Sequence, residues 1–265
     1  MTILQTQALT RKFGQTTAVD AMTISVERGE VFGLLGPNGA GKTTAIKMLI
    51  TLLPPTSGTA QVAGFDINRN AGKVRRVIGY VPQMISVDPS LSGYENLLII
   101  AKLYDIPRHE RGPRVSEALA LVDLTDEAAK LVRQYSGGMI RRLEIAQSTL
   151  HRPPVLFLDE PTVGLDPIAR QAVWKHIERL RGDFGITIFL TTHNMEEAES
   201  LCSRVAIMHR GKIVIDDSPE RLKASIGGHQ PTLGDVFVYY AGDTLDSGGS
   251  YRETSKGRRA ARRLG

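Results

Sequence analysis

Eight consecutive residues, Gly36-Pro37-Asn38-Gly39-Ala40-Gly41-Lys42-Thr43, have the types and spacing of a phosphate cradle. The pattern G-x-x-x-x-G-K-[ST] needs a strand before it and a helix after it. The glycines let backbone N–H groups turn inward around phosphate oxygens, and the helix N-terminus adds partial positive charge. Lys42 is placed to reach the β- and γ-phosphates, and the Thr43 hydroxyl to ligate Mg²⁺; Thr44 completes the set. The context is right, because the apolar run Glu30–Leu35 precedes the loop and a helical stretch starts at Lys42 and runs to about Leu53.

Val155-Leu156-Phe157-Leu158-Asp159-Glu160 is the second chemical element. Four apolar residues make a buried strand, and two carboxylates emerge at its C-terminal end, where ligands gather in sheets of this kind. Asp159 suits a Mg²⁺ ligand, directly or through water, and Glu160 suits the general base that polarises an attacking water. A solvated strand end would explain an isolated Asp-Glu pair. Together with the phosphate loop, the pair reads as nucleotide hydrolysis.

Tyr135-Ser136-Gly137-Gly138-Met139 lies just upstream and opens a helical stretch, Ile140–Leu150. Here the sequence resembles the ATP-binding cassette family, whose motif at this place usually begins with Leu where this chain has Tyr135. The resemblance covers about residues 3–240. It implies that Ser136, Gly137 and Gly138 contact a phosphate, that Gln83 in Tyr80-Val81-Pro82-Gln83 senses Mg²⁺ and water, and that Asp166 in Gly164-Leu165-Asp166 touches an opposing subunit. It further implies that His193 contacts the γ-phosphate and that Phe13 stacks on adenine. Taken alone, a histidine at a strand end is more often structural, and Phe13 would read as core. The other five histidines match no ligand or catalytic spacing, and Trp174 reads as core.

The same resemblance implies ATP and Mg²⁺ as cofactors and a head-to-tail pair of copies, the Ser-Gly-Gly helix of one capping the nucleotide on the loop of the other. Glu95-Asn96-Leu97, Leu103-Tyr104-Asp105-Ile106-Pro107, Tyr135–Ala146 and Pro231–Phe237 are similar to the ATPase subunits of daunorubicin-resistance-like exporters, which pair with separate ABC-2 type permeases. The expectation is an ATPase powering such an exporter from the cytoplasmic face of the plasma membrane. An importer subunit, or a non-transport ATPase acting on DNA or ribosomes, are the alternatives.

Those residues must be positioned by an α/β fold. Strand signals at Ile3–Phe13, Met22–Glu27, Val77–Val81, Val155–Leu158, Ile186–Leu190 and Val205–Met208 alternate with helical stretches around Ile168–Arg181 and Met195–Leu201. Such alternation predicts a mostly parallel sheet covered by helices, here with an antiparallel N-terminal β subdomain and a helical subdomain inserted at about 90–150. This is the core expected of a P-loop NTPase. Residues 1–242 read as the ATPase domain and 243–265 as a disordered tail.

The net charge of +5 sits entirely in the segment after Ser250, where six basic residues face Glu253 alone. The body is therefore neutral, a poor surface for nucleic acid. The tail could instead meet anionic lipid. No apolar run approaches the ~20 residues of a membrane helix, and the single cysteine, Cys202, excludes an internal disulfide.

Overall fold

The computed structural model describes residues 1–242; the basic tail, and the disorder expected of it, lie outside the described residues. The chain begins with strands β1 (Thr2–Phe13), β2 (Thr16–Met22) and β3 (Ser25–Glu27). Strand β4 (Val31–Leu35) leads into helix α1 (Lys42–Leu49), followed by β5 (Ser57–Val62), β6 (Phe65–Asp66), α2 (Ala71–Arg76) and β7 (Ile78–Val81). A helical block then comprises α3 (Gly93–Leu103), α4 (Arg108–Leu121), a short 3₁₀ turn (Val132–Gln134) and α5 (Gly137–Thr149). The chain continues through β8 (Val155–Asp159), α6 (Pro167–Phe184), β9 (Thr187–Thr192) and α7 (Met195–Leu201). It closes the described part with β10 (Arg204–His209), β11 (Lys212–Asp217), α8 (Pro219–Ser225) and α9 (Leu233–Ala241).

Two sheets form. The first is antiparallel, with order β2-β1-β5-β6 and β3 paired to β1. The second has order β11-β10-β4-β9-β8-β7 and is parallel except for the β10–β11 hairpin. That hairpin turns at Arg210-Gly211, both with positive φ (47° and 84°), as a tight turn matched to strand twist requires.

Strands β4, β8 and β9 are buried at every position, which is why they read as continuous apolar runs. Alternate residues serve different cores. Phe32, Phe157 and Phe189 point to the antiparallel sheet and α1, with ring centroids 5.4 and 5.5 Å apart. Leu156, Leu158, Ile188 and Leu190 point the other way, into one hydrophobic cluster shared with the helical block and α6. The block thus packs as a continuation of the sheet's core.

Several expected boundaries move, two of them for a visible reason. Helix α1 ends at Leu49, not Leu53: Thr51 takes φ 66°, and the Leu52 and Leu53 amides turn back to the Lys47 carbonyl. The strand expected at Met22–Glu27 is split, because β2 ends at Met22 and β3 begins at Ser25. The Thr6 hydroxyl fills that gap, donating to the Met22 carbonyl and accepting from the Ile24 amide.

Candidate functional site

The loop between β4 and α1 can exist only with glycine at its ends. A Cβ on Gly36 would lie 2.3 Å from the Met208 carbonyl oxygen, and one on Gly41, where φ is 110°, would lie 2.3 Å from that of Ala18. The chain is thereby drawn tightly over β10 and β2, and α1 starts without a capping side chain. Its leading N–H groups are left to a ligand, the arrangement that favours phosphate. Asn38 and Gly39 are exposed, Pro37 and Thr44 partly buried and Ala40 buried.

Lys42 runs under this loop. Its ammonium donates to the Gly36 carbonyl at 2.7 Å and the Pro37 carbonyl at 3.1 Å, and it lies 3.0 Å from Glu160 Oε1. Glu160 stands just past β8 with φ 51°, its amide held by the Thr191 carbonyl and hydroxyl, both at 3.1 Å. Its other oxygen, Oε2, accepts from His193 Nδ1 at 2.8 Å. A carboxylate that is only 4% exposed is therefore bracketed by the lysine and the histidine.

Asp159 is buried beside it. Its Oδ1 accepts from the Thr191 hydroxyl at 2.6 Å and the Thr43 hydroxyl at 3.2 Å. Thr43 and Asp159 thus bring hard oxygens together at the mouth of the loop, which suits Mg²⁺ completed by phosphate oxygens and water. Burial, and then the Asp159 charge, push the nearby Tyr80 phenol up to about 12, so it stays neutral.

Ser136 is the N-cap of α5, its hydroxyl accepting from the Met139 amide at 3.3 Å. Ser136 and Gly137 are exposed. Gly138 is buried, and a Cβ there would come within 2.8 Å of the Ala169 side chain. Its glycine is thus explained by close packing of α5 on α6. Tyr135, where the family has leucine, fills the helical block: it is 7% exposed and its hydroxyl donates to the Glu127 carbonyl at 2.7 Å. The substitution is an internal packing solution and leaves Ser136 and Gly137 open.

Asp166 caps α6, Oδ1 accepting from the Ile168 and Ala169 amides at 3.0 and 2.9 Å. Phe13 is 48% exposed, which removes the core reading, and the Arg11 guanidinium lies 4.6 Å from its ring centroid. Gln83 is exposed and makes no side-chain hydrogen bond to the Lys42–Glu160–His193 cluster among the described residues. Its carbonyl is instead held by Arg141 at 3.1 Å.

Sequence reasoning missed Thr191, which positions both carboxylates; a buried threonine just after the largely apolar run Ile186–Leu190 was the available signal. It also missed Glu197, 1% exposed, which accepts from the Thr162 hydroxyl at 2.7 Å and the Trp174 indole at 3.1 Å. Trp174 is core, as expected, but its N–H has this specific partner.

Comparison with known proteins accords with this geometry. Residues 19–163 match the family described as ABC transporter. Daunorubicin resistance ATP-binding protein DrrA3 of Streptomyces coeruleorubidus is 43% identical over 218 residues, 82% of this chain and 69% of that protein. An ATP-binding subunit of an ABC transporter superposes with TM-score 0.79 at 27% identity, over 90% of this chain and 99% of the other. An ATP-binding cassette solved as a dimer in a post-hydrolysis state with ADP and phosphate gives TM-score 0.72 at 25% identity, over 81% and 98%. With the family matched over residues 19–163 and a relative 43% identical over 82% of this chain, the chain belongs to the ABC transporter family of ATP-binding proteins.

Proposed function

We propose that the chain is the ATP-hydrolysing subunit of an exporter, working as an ATP-bound pair on a separate membrane permease. The observation that carries the chemistry is the convergence of Lys42, Glu160 and His193 at the end of the phosphate loop. ATP phosphates would lie on the Gly36–Thr43 backbone and the α1 N-terminus, with Lys42 turned toward the β- and γ-oxygens. Mg²⁺, held by Thr43 and Asp159, would neutralise charge on those oxygens. Glu160, released from Lys42, takes a proton from the attacking water while His193 orients it and meets the γ-phosphate. Gln83, whose side chain makes no hydrogen bond to this centre here, would turn toward it once nucleotide is bound, and Phe13 offers an exposed ring face to adenine.

Ser136 and Gly137 are exposed at a helix N-terminus, a place that suits phosphate. The dimeric structural relative supports a second copy; in this reading that phosphate belongs to the second copy, with Asp166 and its loop at the shared boundary. Export is the direction of transport that the daunorubicin-resistance relative supports.

No helix among the described residues is long and apolar enough to cross a membrane; in this reading translocation is the work of the separate permease. A cleft of about 390 Å³ between the sheet and the helical block, lined by Leu52, Tyr80, Ile100 and Tyr104 with Arg75 and Glu144 among them, suits an amphipathic segment of that permease. Leu52, Met84, Ile85 and Leu103 expose 62, 81, 66 and 71% of their surface in these segments. The chain would then sit peripherally on the cytoplasmic face of the membrane. The basic residues after Ser250 add attraction to anionic lipid, about 1 kcal/mol each near the surface.

The test is purification from solubilised native membranes. An integral membrane protein should copurify and change the ATPase rate; recovery with ribosomes or DNA alone would overturn the transport reading.

A further inference from the structure

Helix α5, which presents Ser136 at its start, also grips a loop distant in sequence. Arg141 and Glu144 are 6% and 2% exposed, and Arg141 Nη1 lies 3.0 Å from Glu144 Oε2. Both reach the segment 82–86. Arg141 donates to the Pro82 carbonyl at 2.7 Å and the Gln83 carbonyl at 3.1 Å. Glu144 Oε1 accepts from the Ser86 amide at 2.6 Å and the Ser86 hydroxyl at 2.9 Å. One helix therefore holds this loop at both ends, with Gln83 within the grip.

Burying two charges is costly, and an apolar pair of equal volume would often stabilise the fold as well or better. An apolar pair could not fix the Pro82 and Gln83 carbonyls or the Ser86 amide. These four charge-assisted bonds give the pair a task that packing alone does not explain.

We propose that Arg141 and Glu144 form a clamp that makes the Gln83 loop and the Ser136 helix one rigid unit. The proposal rests on the head-to-tail reading above, in which Gln83 faces the chain's own nucleotide and Ser136 faces the nucleotide of the second copy. Movement of Gln83 onto one nucleotide then carries Ser136 toward the other, and the two sites gain a coupling free energy. Arg141 and Glu144 are positioning residues: they touch the loop, and through it the nucleotide contact.

The experiment uses the hydrolysis-deficient full-length chain E160Q as parent and compares it with E160Q/R141M/E144Q. Met and Gln keep the volume of the pair and leave no lone buried charge. At concentrations too low for pairing, both chains should bind ATP within about twofold of each other, while ATP-driven dimerisation of the triple variant weakens about tenfold. Ser86→Ala in the same parent removes one bond from outside the core; it should weaken the dimer in the same direction by less, and it decides the matter if the triple variant does not fold. Dimerisation as tight as the parent's would overturn the clamp. So would a parallel loss of ATP affinity at low concentration, which would place the pair in the nucleotide pocket itself. A parent that stays monomeric with ATP would overturn the head-to-tail reading, and the clamp with it.

Discussion

Lys42 Nζ and Glu160 Oε1 lie 3.0 Å apart, their side chains 4% and 5% exposed. The cation suited to phosphate and the base suited to water are thus paired with each other. A phosphate on Lys42 would compete with Glu160 for that cation. Glu160→Gln should therefore slow hydrolysis by about 10³-fold, the range general bases supply. ATP should bind at least as tightly, since Lys42 has lost a competing anion. Phosphate release and equilibrium binding check both, and weaker ATP binding by the variant would contradict the competition.

Thr43→Val keeps the shape of the side chain but removes the hydroxyl that lies 3.2 Å from Asp159. ATP binding without Mg²⁺ should change little, while the stimulation of binding and hydrolysis by Mg²⁺ should largely disappear. Titrating Mg²⁺ against both chains at fixed ATP separates the two effects. An unchanged Mg²⁺ dependence would remove Thr43 from the metal site.

A Cβ on Gly93 would lie 2.3 Å from the Tyr135 hydroxyl, which donates to the Glu127 carbonyl. Gly93→Ala should destabilise the helical block by about 1–3 kcal/mol through overpacking. Tyr135→Phe should cost about 1 kcal/mol, mostly the lost hydrogen bond. The double variant should cost less than the sum of the two, because removing the hydroxyl makes room for the methyl. Thermal unfolding of all four chains gives the cycle; strict additivity would show that the two positions do not share space.

His151 stacks on Tyr104 with ring centroids 3.8 Å apart, and its Nε2 donates to the Ile78 carbonyl at 3.0 Å. Burial holds its pKa down, from 6.5 to about 4. The folded chain thus keeps the ring neutral, while the unfolded chain protonates it near 6.5. Unfolding takes up a proton below that value, so this residue's contribution is intact above pH 6.5 and is lost as pH falls toward about 4. His151→Gln should flatten the fall of the thermal midpoint across that window. Parallel midpoint curves for the two chains would show that His151 does not set the slope.

The site was legible where chemistry dictates residue type. Gly36, Gly41, Lys42, Asp159 and Glu160 each answer a local demand, and strands β4, β8 and β9 announce themselves by burial on both faces. The fold was hidden where the local signal is weak. Strand β5, Ser-Gly-Thr-Ala-Gln-Val, buries only Ala60 and Val62, too little alternation to read. Pro54-Pro55 suggests where α1 stops, but the left-handed turn at Thr51 stops it earlier. Gly138 reads as a phosphate contact in sequence, whereas its packing on Ala169 already demands glycine there. Arg141 and Glu144 could not be read at all, because the partners that give them meaning lie about 58 residues away in sequence and meet them only through the fold.

In the proposed pair, one complete hydrolysis site is built from two copies, the loop at Lys42 from one and the helix at Ser136 from the other. The direct measurement mixes two hydrolysis-deficient double variants, K42A/E160Q and S136R/E160Q, and follows pairing by size exclusion with and without ATP. Each alone should remain monomeric: the first binds nucleotide weakly, and the second places a bulky cation where the facing phosphate site must close. The mixture can still assemble one intact site, from the loop of the second chain and the Ser-Gly-Gly helix of the first. It should therefore recover an ATP-dependent heterodimer in part. If S136R/E160Q alone paired as well as E160Q, or if the mixture recovered no heterodimer while E160Q paired normally, the shared site would be contradicted.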